Sequence, residues 1–181
     1  VYSMVDNSVG VHKAPANVSM GSVISPVVNI TSANQEDLNL PLNGKAVNAI
    51  RSFIGKGTLV WGARTLDGNS QDWRYISVRR ALIMIEQSVK TAVEAYVFDP
   101  NDASTWLKVK TAIDNFLTTL WKSGTLVGSS TTEAFETSIG LGVTMTPNDI
   151  LDGVMRISVK VAISRPAEFI VITFQQKMQE S

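Results

Sequence analysis

Two long stretches with helical periodicity follow one another in the middle of this chain, with no strand-like segment between them. Apolar residues recur three and four positions apart across residues 79–97, while charged residues stand four apart on another face. A second pattern begins after Asp102 or Ser104, either of which can cap a helix, and Gly124 is well placed to end it. The apolar positions are Leu82, Ile85, Val89, Val93 and Tyr96 in the first helix, and Trp106, Val109, Ile113, Phe116, Leu117 and Leu120 in the second. Each helix therefore needs an apolar surface against one of its faces.

Strand-like segments on both sides of the two helices supply such a surface. In residues 154–163 apolar side chains alternate with polar ones, which gives the segment one dry face. Strands, two consecutive helices and strands again predict an α+β fold in which a mixed β-sheet packs against both amphipathic helices. The predicted strands are residues 58–61 and 73–78, which the turn at 66–72 joins as a hairpin, and residues 134–139, 154–163 and 168–176.

The first 50 residues are the least regular part of the chain. Short apolar runs alternate there with turn formers, and we expect one short helix near residues 14–20 and another near residues 34–38. Glu36 and Asp37 are interpreted as acidic residues at a helix start.

Composition excludes several classes of function. The 181 residues, 44% of them hydrophobic, can bury one core, so a single domain is expected. The 16 basic and 16 acidic residues cancel, which gives no general attraction for nucleic acid or for a membrane surface. Cysteine is absent and no apolar run approaches the roughly 20 residues that cross a bilayer, so neither thiolate metal sites nor direct membrane insertion are expected.

Catalytic chemistry has few candidate residues. His12 is the only histidine, and it lies in a loop that contains proline and alanine, without a nucleophile motif nearby. Gly55 and Gly57 lack the GK[ST] sequence of a phosphate-binding loop and are interpreted as turn glycines. Asp149 and Asp152 fall short of a calcium loop because two carboxylates provide too few ligands. We therefore expect no enzyme activity, no cofactor and no metal.

Five motifs occur in an order and spacing that resemble the C-terminal domain of contractile tail sheath proteins. These proteins surround the tubes of myophages, R-type pyocins and phage-tail-like injection systems. The resemblance extends from about Gly10 to the end of the chain. The motifs are GKGTLVWGARTL (55–66), WRYISVRR (73–80), FDPND (98–102), LWKSGTLVG (120–128) and SRPAEFIVITFQQKMQ (164–179).

Within this family, the chain looks most like the sheaths of extracellular contractile injection systems. The stretch IGLGVTMTPNDILDG (139–153) and the ending QKMQES carry that similarity. Many phage sheaths have a Cys-Asp pair near the position that Thr137 and Ser138 occupy here.

The resemblance implies a structural subunit that polymerises helically around an inner tube and contracts to drive the tube through a target envelope. The implied partners are other sheath copies, the inner tube protein, and baseplate and terminal cap proteins, with no nucleic acid among them. Assembly is expected in the bacterial cytoplasm, as part of a phage tail or of an injection particle that is later released. Residues 1–181 are expected to form the inner, tube-facing domain, with the N-terminal arm and the outer domains outside this chain.

Four arginines close in sequence form a candidate contact surface: Arg64, Arg74, Arg79 and Arg80. They are interpreted either as solvated charges and internal ion pairs, or as an electrostatic contact with the inner tube or a neighbouring copy. The resemblance implies that one helix of this domain touches the tube, and the helix over 79–97 is favoured. A competing hypothesis from another class is a small α+β domain, enzymatic or ligand-binding, that holds an anion with Arg64, Arg74 and Arg79.

The last predicted strand has apolar residues on both faces, so both faces need a cover. The resemblance implies that extended terminal segments exchange strands between subunits, in which main-chain hydrogen bonds supply affinity. We expect the strand to be internal up to about Phe174, with the residues beyond it reaching another copy. The candidate inter-subunit residues are Phe174, Gln175, Gln176, Lys177, Met178 and Gln179.

Overall fold

The computed structural model of the chain describes residues 1–39 and 43–172. Helices and antiparallel strands are combined in an α+β fold, as predicted. In chain order the elements are α1 (Tyr2–Ser8), β1 (Val18–Ser19), α2 (Ser32–Asn39), β2 (Ala49–Phe53), β3 (Gly57–Trp61), α3 (Ile76–Glu94), α4 (Ala103–Lys122), α5 (Thr131–Ala134), β4 (Phe135–Ile139), α6 (Pro147–Leu151) and β5 (Ile157–Val161). Within these residues no helix combines the length and the apolar character that a membrane crossing requires.

Strands β1, β3 and β2 form an antiparallel sheet in that order. The β2–β3 hairpin pairs Ala49 with Trp61 at its open end and Phe53 with Gly57 beside the turn. Gly55 and Gly57 both have φ near +75°, a conformation that side chains disfavour, so the interpretation of both as turn glycines is confirmed. The predicted helix near residues 14–20 is wrong, because Val18 and Ser19 pair with β3 as the short edge strand β1.

The two long helices are present, and their ends follow the predicted chemistry. The Asp102 carboxylate accepts a hydrogen bond from the Thr105 backbone N–H at 2.9 Å, so Asp102 caps α4. Gly124 follows the helix with a φ of +79°. Helix α3 begins three residues earlier than predicted, at Ile76.

The predicted strand at residues 73–78 is wrong beyond Tyr75. Arg64 and Tyr75 form an isolated antiparallel bridge, flanked by hydrogen bonds from the Thr65 N–H to the Arg74 carbonyl and from the Ile76 N–H to the Ala63 carbonyl. From Ile76 onward the backbone is helical. The hairpin partner of β3 is therefore β2, and residues 73–75 lie beside the segment that follows β3.

Strands β4 and β5 form a separate two-stranded antiparallel ribbon, in which Phe135 pairs with Val161 and Ile139 with Ile157. The single mixed sheet of the prediction is thus replaced by two antiparallel sheets. Helix α4 lies against β4, and α3 packs beside α4. The apolar side chains of β5 pack against the buried core residues of α3 and α4, so the dry face predicted for residues 154–163 is confirmed.

The core is centred on one row of α4. Val109, Ile113 and Leu117 stand four residues apart and are 2% exposed or less, and Ile85 of α3 packs against them. Phe116 and Leu120 of α4, with Val89 and Val93 of α3, are half-buried at the margin of this cluster. Trp106 and Leu82 are also half-buried. The helix-on-sheet packing is confirmed for α4, while the burial expected for Phe116 is incomplete.

Two smaller expectations also change. A helix near residues 34–38 is confirmed as α2, but its first turn contains no acidic residue, so Glu36 and Asp37 are not helix-start residues. The described part of the predicted last strand, residues 168–172, has neither helical nor strand structure. The remainder of that prediction lies outside the described residues.

Candidate assembly interface

Arg64 lies directly after the three-stranded sheet and is buried, with 3% of its surface exposed. Its backbone N–H donates to the Asn48 side-chain oxygen at 2.8 Å, and its carbonyl accepts from the Asn48 amide at 2.7 Å. Its Nη1 donates to the carbonyls of Asn39 and Gly68 at 2.9 and 2.8 Å. These bonds fix both the backbone and the guanidinium plane of Arg64.

The remaining donors of Arg64 meet one carboxylate from the far end of the chain. Nε lies 3.1 and 3.0 Å from the two carboxylate oxygens of Glu168, and Nη2 donates to one of them at 2.7 Å. The Tyr75 hydroxyl donates to the same carboxylate at 3.1 Å. Burial raises the pKa of the Tyr75 phenol, and the negative charge of Glu168 raises it further. Arg64 therefore acts as an internal ion-pair partner.

Arg80 also has an internal partner. Its guanidinium donates two hydrogen bonds to the Asp6 carboxylate, at 2.8 and 2.7 Å, and lies 4.7 Å from the centre of the Tyr2 ring. The hydrogen bonds from Arg80 hold the pKa of Asp6 below its usual value. Arg80 on α3 thereby fixes α1 to the domain.

Arg74 and Arg79 are engaged with aromatic rings. Arg74 donates to the Ser70 carbonyl at 3.0 Å and lies over Tyr75, whereas Arg79 lies 5.2 Å from the ring centre of Trp73. Both Arg79 and Trp73 are exposed. The four predicted arginines thus make different contacts, although they lie near one another in sequence. Of the four, Arg79 is the exposed one.

His12 has a structural contact. Its Nδ1 lies 3.0 Å from the hydroxyl of Thr125, which is buried after the end of α4. The Asp149 carboxylate takes part in a helix cap. It accepts hydrogen bonds from the backbone N–H and the hydroxyl of Thr146 and from Arg156. Among the described residues, no three His, Asp or Glu side chains are grouped so that they could hold a metal ion.

Two irregular segments expose apolar side chains to an unusual degree. Ile24 and Val27 in the segment before α2 are fully exposed, and residues 169–172 near the C-terminus are 62 to 90% exposed. Single exposed apolar residues are common, but several of them close together are typical of surfaces that another chain covers. These segments are candidate assembly contacts.

Residues 69–177, more than half of the chain, match the phage tail sheath C-terminal domain family. The chain belongs to this family. No curated protein matches it in sequence.

Several solved structures have the same fold as this sheath domain. The PVC sheath complex of an extracellular contractile injection system, in the contracted state, superposes with a TM-score of 0.91 at 43% identity over 97% of this chain and 49% of its own. The contracted helical sheath of the anti-feeding prophage, AFP, gives 0.88 at 44% identity over 98% of this chain and 48% of its own. The sixfold-symmetrised AFP baseplate gives 0.89 at 44% identity with the same coverage. The chain thus spans about half the length of the proteins that it matches.

The predicted inter-subunit residues of the sheath domain, from Phe174 to Gln179, lie outside the described residues. The sequence reasoning did not single out Asp6 and Glu168, the partners of two predicted arginines. A local signal for them is lacking, because they stand 74 and 104 positions from those arginines. It also missed Ile24 and Val27, although the apolar run among turn formers at 23–28 was a usable signal.

Proposed function

We propose that this sheath domain belongs to a structural subunit that polymerises helically around an inner tube and contracts to drive the tube through a target envelope. The observation that carries the proposal is the likeness to a contracted injection-system sheath, with a TM-score of 0.91 at 43% identity across 97% of this chain. Exposed apolar residues in two irregular segments, the one before α2 and residues 169–172, support it, because such surfaces are typically covered by a neighbouring chain.

The partners that we propose are other sheath copies, the inner tube, and baseplate and terminal cap proteins. The similarity to a protein in the AFP baseplate supports the baseplate contact. Residues 1–181 would form the inner domain, with the arm and outer domains supplied by the rest of the sheath protein. Assembly would take place in the bacterial cytoplasm, before the injection particle is released.

Two surfaces of the domain are proposed to contact other chains. The C-terminal segment from Phe169 through Gln179 would add to the sheet of a neighbouring copy, since its described part is exposed, apolar and without helical or strand structure of its own. The second surface is Arg79 with Trp73, an exposed cation and aromatic ring at the start of α3, which would contact the tube or a neighbour.

The sheath family is structural, and we propose that the chain has no catalytic function. Contraction needs no nucleotide if the contracted lattice has the lower free energy, because the subunit interface is then the bistable element. The competing anion-binding hypothesis has no support, since the carboxylate of Glu168 and two backbone carbonyls occupy the Arg64 guanidinium.

The test is expression of the complete sheath protein with its tube protein, followed by electron microscopy. We expect helical sheaths around tubes, and shorter, wider sheaths after contraction is triggered. A protein that stays monomeric, and whose melting temperature rises with phosphate, would instead support the anion-binding hypothesis.

A further inference from the structure

Glu168 directly precedes the exposed apolar residues 169–172. Its side chain is only 17% exposed, whereas Phe169 directly after it is 62% exposed and Val171 is 90% exposed. Glu168 is thus the last described residue that is not exposed, although Arg165 and Ala167 before it are exposed. Whatever holds Glu168 also determines where this segment leaves the domain.

Backbone contacts do not hold the segment at this point. Within the described part of the chain, the last backbone hydrogen bond runs from the Ser164 N–H to the Thr125 carbonyl, at 3.0 Å. Beyond it, Arg165 reaches Asp72 at 3.3 Å, but both side chains are more than half exposed. An exposed pair of this kind contributes little, because water and salt screen it.

The pair between Arg64 and Glu168 differs from that surface contact in burial and in geometry. The Arg64 side chain is 2% exposed, and the planar guanidinium donates from two nitrogens to the carboxylate. The guanidinium is itself fixed by the Asn39 and Gly68 carbonyls, and the Tyr75 hydroxyl adds a further bond to Glu168. The Arg64 guanidinium is therefore held in place by contacts that do not involve the C-terminal segment.

We propose that the Arg64–Glu168 pair is the anchor that fixes the position from which the C-terminal apolar segment leaves the domain, and that it thereby preorganises this segment for addition to another copy. A segment that is already held in place loses less conformational entropy when it binds. Only the second part of this proposal, addition of the segment to another copy, rests on the proposed sheath function. The anchoring itself is a property of the single chain.

Anchoring can be measured by the distance between spin labels on Lys108→Cys and Ala167→Cys, both at exposed positions. The chain contains no native cysteine that would interfere. We expect a narrow distance distribution in the parent and one at least about twofold broader in Glu168→Ala, because local order is lost where few contacts remain. Glu168→Gln keeps one acceptor oxygen, so its distance distribution should be of intermediate width. This variant provides the measurement if Glu168→Ala does not fold. Asp72→Asn, which removes the negative charge opposite Arg165, should match the parent.

The proposal is overturned if folded Glu168 variants keep the parental width, or if Asp72→Asn broadens the distribution equally. The second part of the proposal, preorganisation for addition to another copy, is tested in the complete sheath protein. There Glu168→Ala should weaken assembly about tenfold, because the segment has lost one contact that ordered it before binding. Normal sheath formation by a variant with a broadened distribution would overturn the positioning role. A parent protein that builds no sheaths would instead refute the proposed function, and the label distances would still decide whether the anchor exists.

Discussion

Arg80 and Asp6, 74 positions apart, form a two-bond ion pair that fastens the N-terminal helix to the start of α3. Arg64 and Glu168 fasten the C-terminal segment to the same region in the same way. Two arginines, Arg64 and Arg80, therefore hold residues near the two ends of the chain against one domain.

The first prediction concerns Asp6. Because hydrogen bonds from Arg80 lower the pKa of Asp6 in the folded state, the pair stabilises the fold above the ordinary carboxyl pKa of 3.8 and loses its effect as pH falls through the lower, folded value. Asp6→Asn should cost about 1 kcal/mol or less at neutral pH, since the pair is partly exposed. It should also speed hydrogen exchange in α1 relative to the rest of the chain. Asp99→Asn in the exposed α3–α4 loop is the control, and equal exchange in both variants would contradict the fastening role.

The second prediction concerns the core row of α4. Leu117 is fully buried, so Leu117→Ala should lower the free energy of unfolding by about 2 to 5 kcal/mol, measured by denaturant titration. Phe116→Ala should cost less than the roughly 3 to 5 kcal/mol of a fully buried phenylalanine, because Phe116 is only half-buried. Leu107→Ala on the exposed face of α4 should stay within about 0.5 kcal/mol of the parent. A Leu107 effect as large as that of Leu117 would contradict this packing.

The third prediction is a titration at the start of α6. Hydrogen bonds from the Thr146 backbone and hydroxyl, followed by that from Arg156, lower the pKa of Asp149 to about 2. The cap therefore stabilises the fold above pH 3.8, and this contribution is lost as pH falls through about 2. Carboxyl NMR should give a midpoint near pH 2 in the parent and a higher one in Thr146→Ala. An unchanged midpoint in that variant would show that the cap does not cause the shift.

The fourth prediction concerns the end of the chain. Deletion of residues 175–181 should leave the isolated domain folded, because the removed residues are mainly polar and carry little apolar surface. In the complete sheath protein the same deletion should abolish or fragment the polymers, as negative-stain microscopy would reveal. Intact sheaths that contract normally without these residues would assign them no linking role.

The fifth prediction uses the single histidine. His12→Ala should leave sheath assembly unchanged, because we assign His12 no catalytic role. Since its ring contacts the buried Thr125, a modest fall in melting temperature is expected. Loss of assembly by a folded His12→Ala protein would show that the loop around His12 belongs to an interface.

Local sequence determined those helices and strands in which the spacing of apolar residues reflects one buried face. Both long helices and the alternating strand β5 were predicted because their apolar spacing reflects one covered face, and Asp102 marked the start of α4 because capping depends on residues three positions away. The family was also visible in the sequence, since its motifs are long. These features depend on near neighbours along the chain.

Tertiary structure decided what depends on distant partners. Residues 73–78 have the β-branched and aromatic content of a strand. Ser77, Val78, Ala81 and Ile85 are nevertheless buried at helical spacing, so packing made the part from Ile76 onward the start of α3. Two arginines of the candidate basic surface, Arg64 and Arg80, form ion pairs within the chain because Glu168 and Asp6, far away in sequence, fold back beside them. Charge in a sequence shows which residues can pair, but only the folded backbone brings a particular acid within 3 Å of a particular arginine.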